Sequence, residues 1–510
     1  MYGRRTAMKK GEITAFLSLV FVLTVSFVLG ILEISIIQTS KSMSRLTVDR
    51  AVFSIFGEYN PKLFSDYHIF AIEGSYGTGD FSEDRLTGRM RYYGTAGIEQ
   101  EIKGVQYLTD LNGQAFREQV LQYMEERYGL SIIRDFTGLT SRWEDQAIQG
   151  EDMEDKEKSI LDSVNDLMEN AQFPEENDSG DAGENAVPDS ADTEIMLPEG
   201  QADVEKLAEG GPFTCIEKIE KSGILSVVMP EDMELSGLGI NSDTQVSSRN
   251  LNTGRGTFPV RKGTDGPEER LLFNEYILNN FTSAVPEGDE IENEENTDSM
   301  ESGSETGRRS LAYEAEYILE GKSSDKENLE AFLMKLFLVR MALNYVYLLG
   351  DSEKQAEVSA LAAAVTTVLL IPEAAEALKQ LVLLAWAAGE SIVDIRTLLA
   401  GKRAALVKST DTWQLPLSSL LTLGSGTDQS EGSDVSGGLA YKDYLRMFLF
   451  LENADDVNMR VLDRIEENIK TEYGMGWFRA DQCITKLEVK NTAEILGGIT
   501  YTFPVYFGYE

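Results

Sequence analysis

Histidine and cysteine are nearly missing from this chain. His68 stands alone among 510 residues, and the only cysteines are Cys215 and Cys483. One imidazole leaves no H-E-x-x-H helix and no His-rich zinc site, and a Ser-His-Asp triad would have to be built on His68 itself. That residue lies beside Tyr67 and Phe70, in an apolar run where a packed histidine is the ordinary reading. Two cysteines form neither a disulfide framework nor metal-ligand spacing. Two readings of them stand: a disulfide between Cys215 and Cys483, or two separately buried thiols. Positive charge is scarce as well, with 46 Lys and Arg against 86 Asp and Glu and a net charge of −40. That balance repels polyanions and excludes nucleic acid as a partner. No catalytic residue, cofactor site or metal site is expected. The loop Gly424–Gly438 lacks the Lys-Ser/Thr ending of a P-loop, and carboxylate pairs such as Glu316 with Glu320 or Asp463 with Glu466 read as solvated helix faces.

Long apolar runs are rare too, and one dominates. From Ile13 to Ile37 the chain reads ITAFLSLVFVLTVSFVLGILEISII, and its first twenty residues carry no charge. At roughly 1.5 Å per residue, twenty helical residues cross a hydrocarbon core of about 30 Å. The run is longer than the apolar region of a signal peptide and no A-x-A exit site follows, so an uncleaved single-pass anchor is expected. Arg4, Arg5, Lys9 and Lys10 precede the run, and Lys41, Arg45 and Arg50 follow it. The positive-inside bias places the amino terminus inside by a narrow margin and the bulk of the chain in the extracellular space. Glu33 falls where such a helix emerges into the headgroups, and the rival reading makes it a pairing residue within the membrane. Beyond it no Gly or Pro interrupts the pattern until Gly57, and Val48, Ala51, Val52 and Ile55 recur at helical spacing. One helix is therefore expected from about Ile13 to Phe56, its outer half amphipathic.

A glycine after a basic tail (Lys9, Lys10, Gly11), an apolar helix that continues past the bilayer, and the segment Tyr59, Asn60, Leu63, Phe64, Tyr67, Ile69, Phe70 together carry a resemblance. Over the first 75 residues or so the chain resembles the anchors of pseudopilin-like proteins in tight-adherence (Tad) pilus and related secretion systems. It is similar also to a family of large Gram-positive membrane-anchored proteins that carry such an anchor. Precursors of the pilin class have a glutamate five residues after the processing glycine. Here Phe16 holds that place and the acid is Glu12. The resemblance implies an envelope assembly component that meets pilus or secretion partners through its amino-terminal helix.

The remainder is expected to be an α+β body. Residues 1–12 form a cytoplasmic basic tail, 13–57 the transmembrane and long amphipathic helix, and 58–173 a first α+β region with strands near Tyr67–Ile72 and Gln100–Leu108 and helices at Asn112–Tyr128 and Lys156–Asn170. Residues 174–202 are an acidic linker, with nine acids and no base between Pro174 and Gly200. Residues 203–286 read as β-rich, with ILSVVM at Ile224–Met229 as a strand and Leu271–Phe281 as a helix, and 287–309 as an acidic disordered insertion. Region 310–470 reads as a helical bundle: Ser324 or Asp325 caps Leu329–Leu349, and Val358–Ile371, Leu381–Gly389, Ser391–Val407, Tyr441–Leu451 and Val457–Lys470 follow. Lys335 and Arg340 argue against a second membrane span, and the runs around Pro372 are too short for one. Two antiparallel strands, Ile484–Lys490 and Gly498–Phe507, close the chain in 471–510, with Pro504 at an edge or a bulge.

Three functions are compatible with this pattern. The first is a non-enzymatic, membrane-anchored extracytoplasmic component of a Tad or type IV pilus-like or secretion assembly. The others are an anchored hydrolase acting on wall polymer or peptide, and a surface adhesin or sensor.

Overall fold

A computed structural model describes residues 10–128, 214–229, 233–261, 263–286, 309–368, 374–421, 423 and 430–509. Helix and antiparallel sheet are mixed, in two compact units that the chain visits alternately. The helix expected at Lys156–Asn170 and both acidic stretches lie outside the described residues.

The first unit comprises Met1–Tyr123, Val246–Thr264 and Ile465–Glu510. It opens with α1, Lys10–Phe56, an unbroken helix of 47 residues. Pro61 starts α2 (Pro61–Tyr67), where Asn60 caps the exposed amides with its side chain. Of the strand expected at Tyr67–Ile72, Tyr67 is the last residue of this helix, 68–71 are irregular and only Ile72 is strand. His68 ends α2 with a left-handed backbone (φ 58) and stacks on the Tyr123 ring at 4.0 Å, so only Ile72–Glu73 remains as β1. After α3 (Glu83–Met90) come β2 (Ile98–Tyr107) and α4 (Asp110–Tyr128). The unit closes with β3 (Cys483–Ile495) and β4 (Ile499–Gly508).

β3 is the spine of the sheet. It pairs antiparallel with β2 on one edge, as in Gln100↔Asn491 and Val105↔Leu487, and with β1 and then β4 on the other. β4 thus lies at an edge, where Pro504, opposite Lys490, withholds an amide the ladder does not need. Register slips between Ile102 and Gly104, where glycine is required by space: a Cβ there would come within 2.9 Å of the Phe258 ring. The outer half of α1 packs on this sheet. Val48, Ala51, Val52, Ile55 and Phe56 enter one core with Leu86, Met90, Ile102, Val489, Phe503 and Val505.

The second unit comprises Met124–Gln245 and Asp265–Arg464. Its described elements are helical: α5 (Thr214–Ser222), α6 (Leu225–Val228), α7 (Pro267–Asn280), α8 (Glu314–Glu320), α9 (Asp325–Gly350), α10 (Ser352–Val368), α11 (Ala375–Leu399), α12 (Tyr441–Leu451) and the start of α13 (Ala454–Glu472). The strand expected at Ile224–Met229 is the short helix α6. A six-residue apolar run has no period long enough to separate the two states, and its buried side chains fit either. Ser324 caps α9 as expected, accepting from the Glu327 amide at 3.3 Å. The runs Leu381–Gly389 and Ser391–Val407 belong, up to Leu399, to the single helix α11. Gly389 does not break it: a Cβ there would lie 2.7 Å from both Leu415 and Leu420, so the missing side chain admits a close neighbour. α9 and α10 both pack against α11, α8 against α9, and α7 against α12.

Candidate interaction surface on the long amino-terminal helix

Among the described residues two helices are long and apolar enough to cross a membrane, and their surroundings separate them. α9 is mostly buried, and its Arg340 is enclosed in an ion pair with Asp394. The apolar window of α1, by contrast, is wholly uncovered by the protein. Membrane helices hide their backbone polar groups within themselves, so an uncharged, mainly apolar exterior is the surface a bilayer solvates. Glu33 follows this window directly, exposed on the helix.

Above Glu33 α1 presents two faces. One is buried against the sheet, through Val48, Ala51, Val52 and Ile55. The other keeps Ile36, Met43, Leu46 and Phe53 in solvent, the last three 57–66% exposed. Their steps of seven, three and seven residues follow the a and d positions of a heptad. The same register runs back through Val22, Val25, Leu29 and Leu32 in the apolar window, all exposed. Arg50, which interrupts the stripe, lies close enough to Gly94 that a Cβ added there would be 3.1 Å from its guanidinium. Apart from Thr39 and Arg50, the stripe is an apolar edge that passes from the uncharged half of α1 into the half beyond Glu33.

Two polar clusters lie within the first unit. Arg89 pairs with Glu58, just past the end of α1, and lies over the rings of Tyr76, Tyr92 and Tyr93. Burial lifts the Glu58 carboxyl, but hydrogen bonds from Arg89 and Tyr93 outweigh it and hold the group below the usual carboxylate range. Further along, Arg249 bridges Glu466 (2.5 Å) and Asp481 (2.7 Å), while the amides of Ala480 and Asn252 donate to the same two carboxylates.

The acids read from sequence as solvated faces are buried. Glu316, Asp463 and Glu466 are at most 2% exposed. Each is kept inside by specific donors: the Tyr317 hydroxyl for Asp463 (2.8 Å), Arg249 and Lys470 for Glu466, and the Ala284 amide (2.9 Å) and Tyr441 hydroxyl (2.7 Å) for Glu316. The Oε2 of Glu316 has no partner among the described residues, and burial pushes this carboxyl up to about 7. A larger network crosses the second unit. Arg340 donates to Asp394 (2.6 Å), Lys408 bridges Asp394 (2.6 Å) and Glu390 (2.5 Å), and the Leu415 amide completes Glu390. Asp394 feels burial first, which raises it, but Arg340 and Lys408 prevail and hold it ionised. Its charges balance and its atoms are enclosed, which describes an internal brace. Among 86 carboxylates nothing in the sequence marks these few, except that Arg340 is a charge inside an apolar helix.

Cys483 is a buried free thiol whose Sγ lies 3.4 Å from the Arg479 carbonyl oxygen. The Cys215 side chain lies outside the described residues. Among the described residues no group of three or more His, Cys, Asp or Glu is placed to hold a metal ion.

Comparison with known families then places the body. The profile of a family of unknown function (DUF5702) matches residues 202–495, more than half of the chain. The chain belongs to this family. No curated protein and no solved structure matches it. The DUF5702 match begins beyond α1 and ends with the last residue of β3, so α1 and the edge strand β4 both fall outside it.

Proposed function

We propose that this member of the DUF5702 family is a membrane-anchored, non-enzymatic component of an envelope assembly, of the kind represented by Tad or type IV pilus-like and secretion systems. In this reading α1 is an uncleaved single-pass anchor with its amino terminus inside. The body stands outside the membrane, and its second unit is a helical bundle. Partners are recruited laterally, helix against helix. The observation that carries the proposal is the apolar stripe on α1: Ile36, Met43, Leu46 and Phe53 stay exposed at heptad spacing while the opposite face is buried in the body. A helix that needed only to tether the body would gain nothing from an apolar edge above the bilayer, and exposed apolar patches of this kind mark interaction sites.

Single cysteines at positions 43, 46 and 53, crosslinked in intact cells, test this directly. Adducts with another envelope protein or with a second copy are the expected result, and the same substitution at exposed Thr502 on β4 serves as the background. Shaving intact cells with protease tests the orientation. A body that is digested only after lysis, or a stripe that never crosslinks above background, overturns the proposal.

A further inference from the structure

β4 runs beside α1 in the same direction. The Lys41 ammonium lies 5.3 Å from the centre of the Tyr501 ring, and the Arg45 guanidinium 5.7 Å from that of Phe503. Higher up, Phe507 meets Phe56 at 4.7 Å and the Tyr509 hydroxyl donates to the Phe56 carbonyl. Two strand residues climb about 6.6 Å and four helical residues about 6 Å, so the two elements keep pace. Continued downward from the Tyr501–Lys41 contact, Ile499 falls level with Ile37, and the turn Leu496–Gly498 with the residues just below. That turn touches α1. At the same height the cover given by the body ends. Ile37, Ser40, Lys41 and Ser44 are half-buried toward the hairpin, whereas below Ile37 nearly every residue of α1 is exposed.

The end of the hairpin therefore sits in the window between Leu32, the last residue of the uncharged run, and Lys41, the first base beyond it. Its sequence from Ile495 to Ile499 is Ile-Leu-Gly-Gly-Ile, without a charge or a polar side chain. Gly497 (φ 82) and Gly498 (φ 74) are left-handed, a conformation side chains resist. A Cβ built at either would meet nothing within 4 Å, so these glycines serve the turn itself and the space where their side chains would stand is open. Ile499 is 42% exposed. Tyr501 with Lys41, one step higher, matches the aromatic and basic collar that marks a membrane interface.

We infer that the turn of the β3–β4 hairpin is a second membrane contact, seated in the interfacial layer of the bilayer beside the anchor helix. The inference rests on the anchor reading above. Lipid is the occupant because the tip continues, at the same height, the apolar surface of α1. In a chain of net charge −40, apolar insertion and not headgroup charge is what holds it. Such a two-point attachment fixes the rotation and tilt of α1, which interfacial anchors govern, and so sets which way the stripe faces.

The full chain, reconstituted in phosphatidylcholine vesicles with a diazirine-bearing residue at position 23, 499 or 502, tests this by mass spectrometry of photoproducts. Lipid adducts at 23 and 499, lost at 502, are expected. Adducts at 23 with none at 499 overturn the second contact and leave the anchor standing. Adducts at 499 to another protein chain overturn it in favour of a protein partner. Absence of lipid adducts at 23 removes the anchor reading, and with it this one.

Discussion

Glu316 is a carboxyl whose ionisation is out of place. Its carboxyl is fully enclosed, one oxygen lacks a partner, and burial raises it from 4.5 to about 7. Between those values the folded chain holds a proton that the unfolded chain has released. The stability this gives is fully present below 4.5 and is lost as pH rises through 7, an effect of roughly 3 kcal/mol. Thermal unfolding followed across this window should show stability rising as pH falls from about 7 to 5. Glu316→Gln should flatten that slope, since its side-chain oxygen still accepts from Ala284 and Tyr441. An unchanged slope in the variant would place the titration elsewhere. Glu58 and Asp481, both held below the usual carboxylate range, act with the opposite sign at lower pH.

The brace around Asp394 makes a second residue-scale case. Removing Arg340 leaves two buried carboxylates facing Lys408 alone, and a broken buried pair of this kind costs about 3–5 kcal/mol. Arg340→Met should lower the unfolding free energy by that amount, measured by denaturant titration. Combining it with Asp394→Leu should recover most of the loss, because the Lys408–Glu390 pair remains neutral. A double variant no more stable than the single one would mean that Arg340 acts through packing.

At the scale of the element, the two faces of α1 should respond oppositely to truncation. Ile55→Ala removes a fully buried side chain from the sheet core and should cost about 2–5 kcal/mol. Met43→Ser touches an exposed position and should leave stability within about 0.5 kcal/mol while lowering lateral crosslinking in the membrane. Equal destabilisation by both would mean that the stripe is part of the fold. α1 itself was readable from sequence, as were Tyr441–Leu451 and the pairing of the last two strands, because in each a long period or alternation survives local noise. The short segments were not. Around His68 a proline and an asparagine cap set the local structure more strongly than the apolar run did, and at Ile224–Met229 six apolar residues suit helix and strand equally. The brace was illegible for another reason. Burial of Glu390, Asp394 and Glu466 depends on Lys408, Arg340 and Arg249, which lie 14 to 217 positions away and share no spacing with them.

The molecule as a whole joins an uncharged apolar run to a body rich in acid, and on the proposed anchor reading the way it would be held to a membrane follows from that division. Attraction between the body and anionic lipid is ruled out by its sign, and charge–charge contacts at a surface weaken as salt shortens the screening length from about 10 Å at 0.1 M to about 3 Å at 1 M. Burial of the twenty uncharged residues from Ile13 is insensitive to salt, because it rests on apolar surface leaving water. Membranes carrying the full chain should therefore retain it through washes in 1 M salt and release it only to detergent, as followed by immunoblot of pellet and supernatant. Release by salt alone would mean that α1 is not in the bilayer, and that the apolar edge at Met43, Leu46 and Phe53 serves some partner other than a neighbour in the membrane.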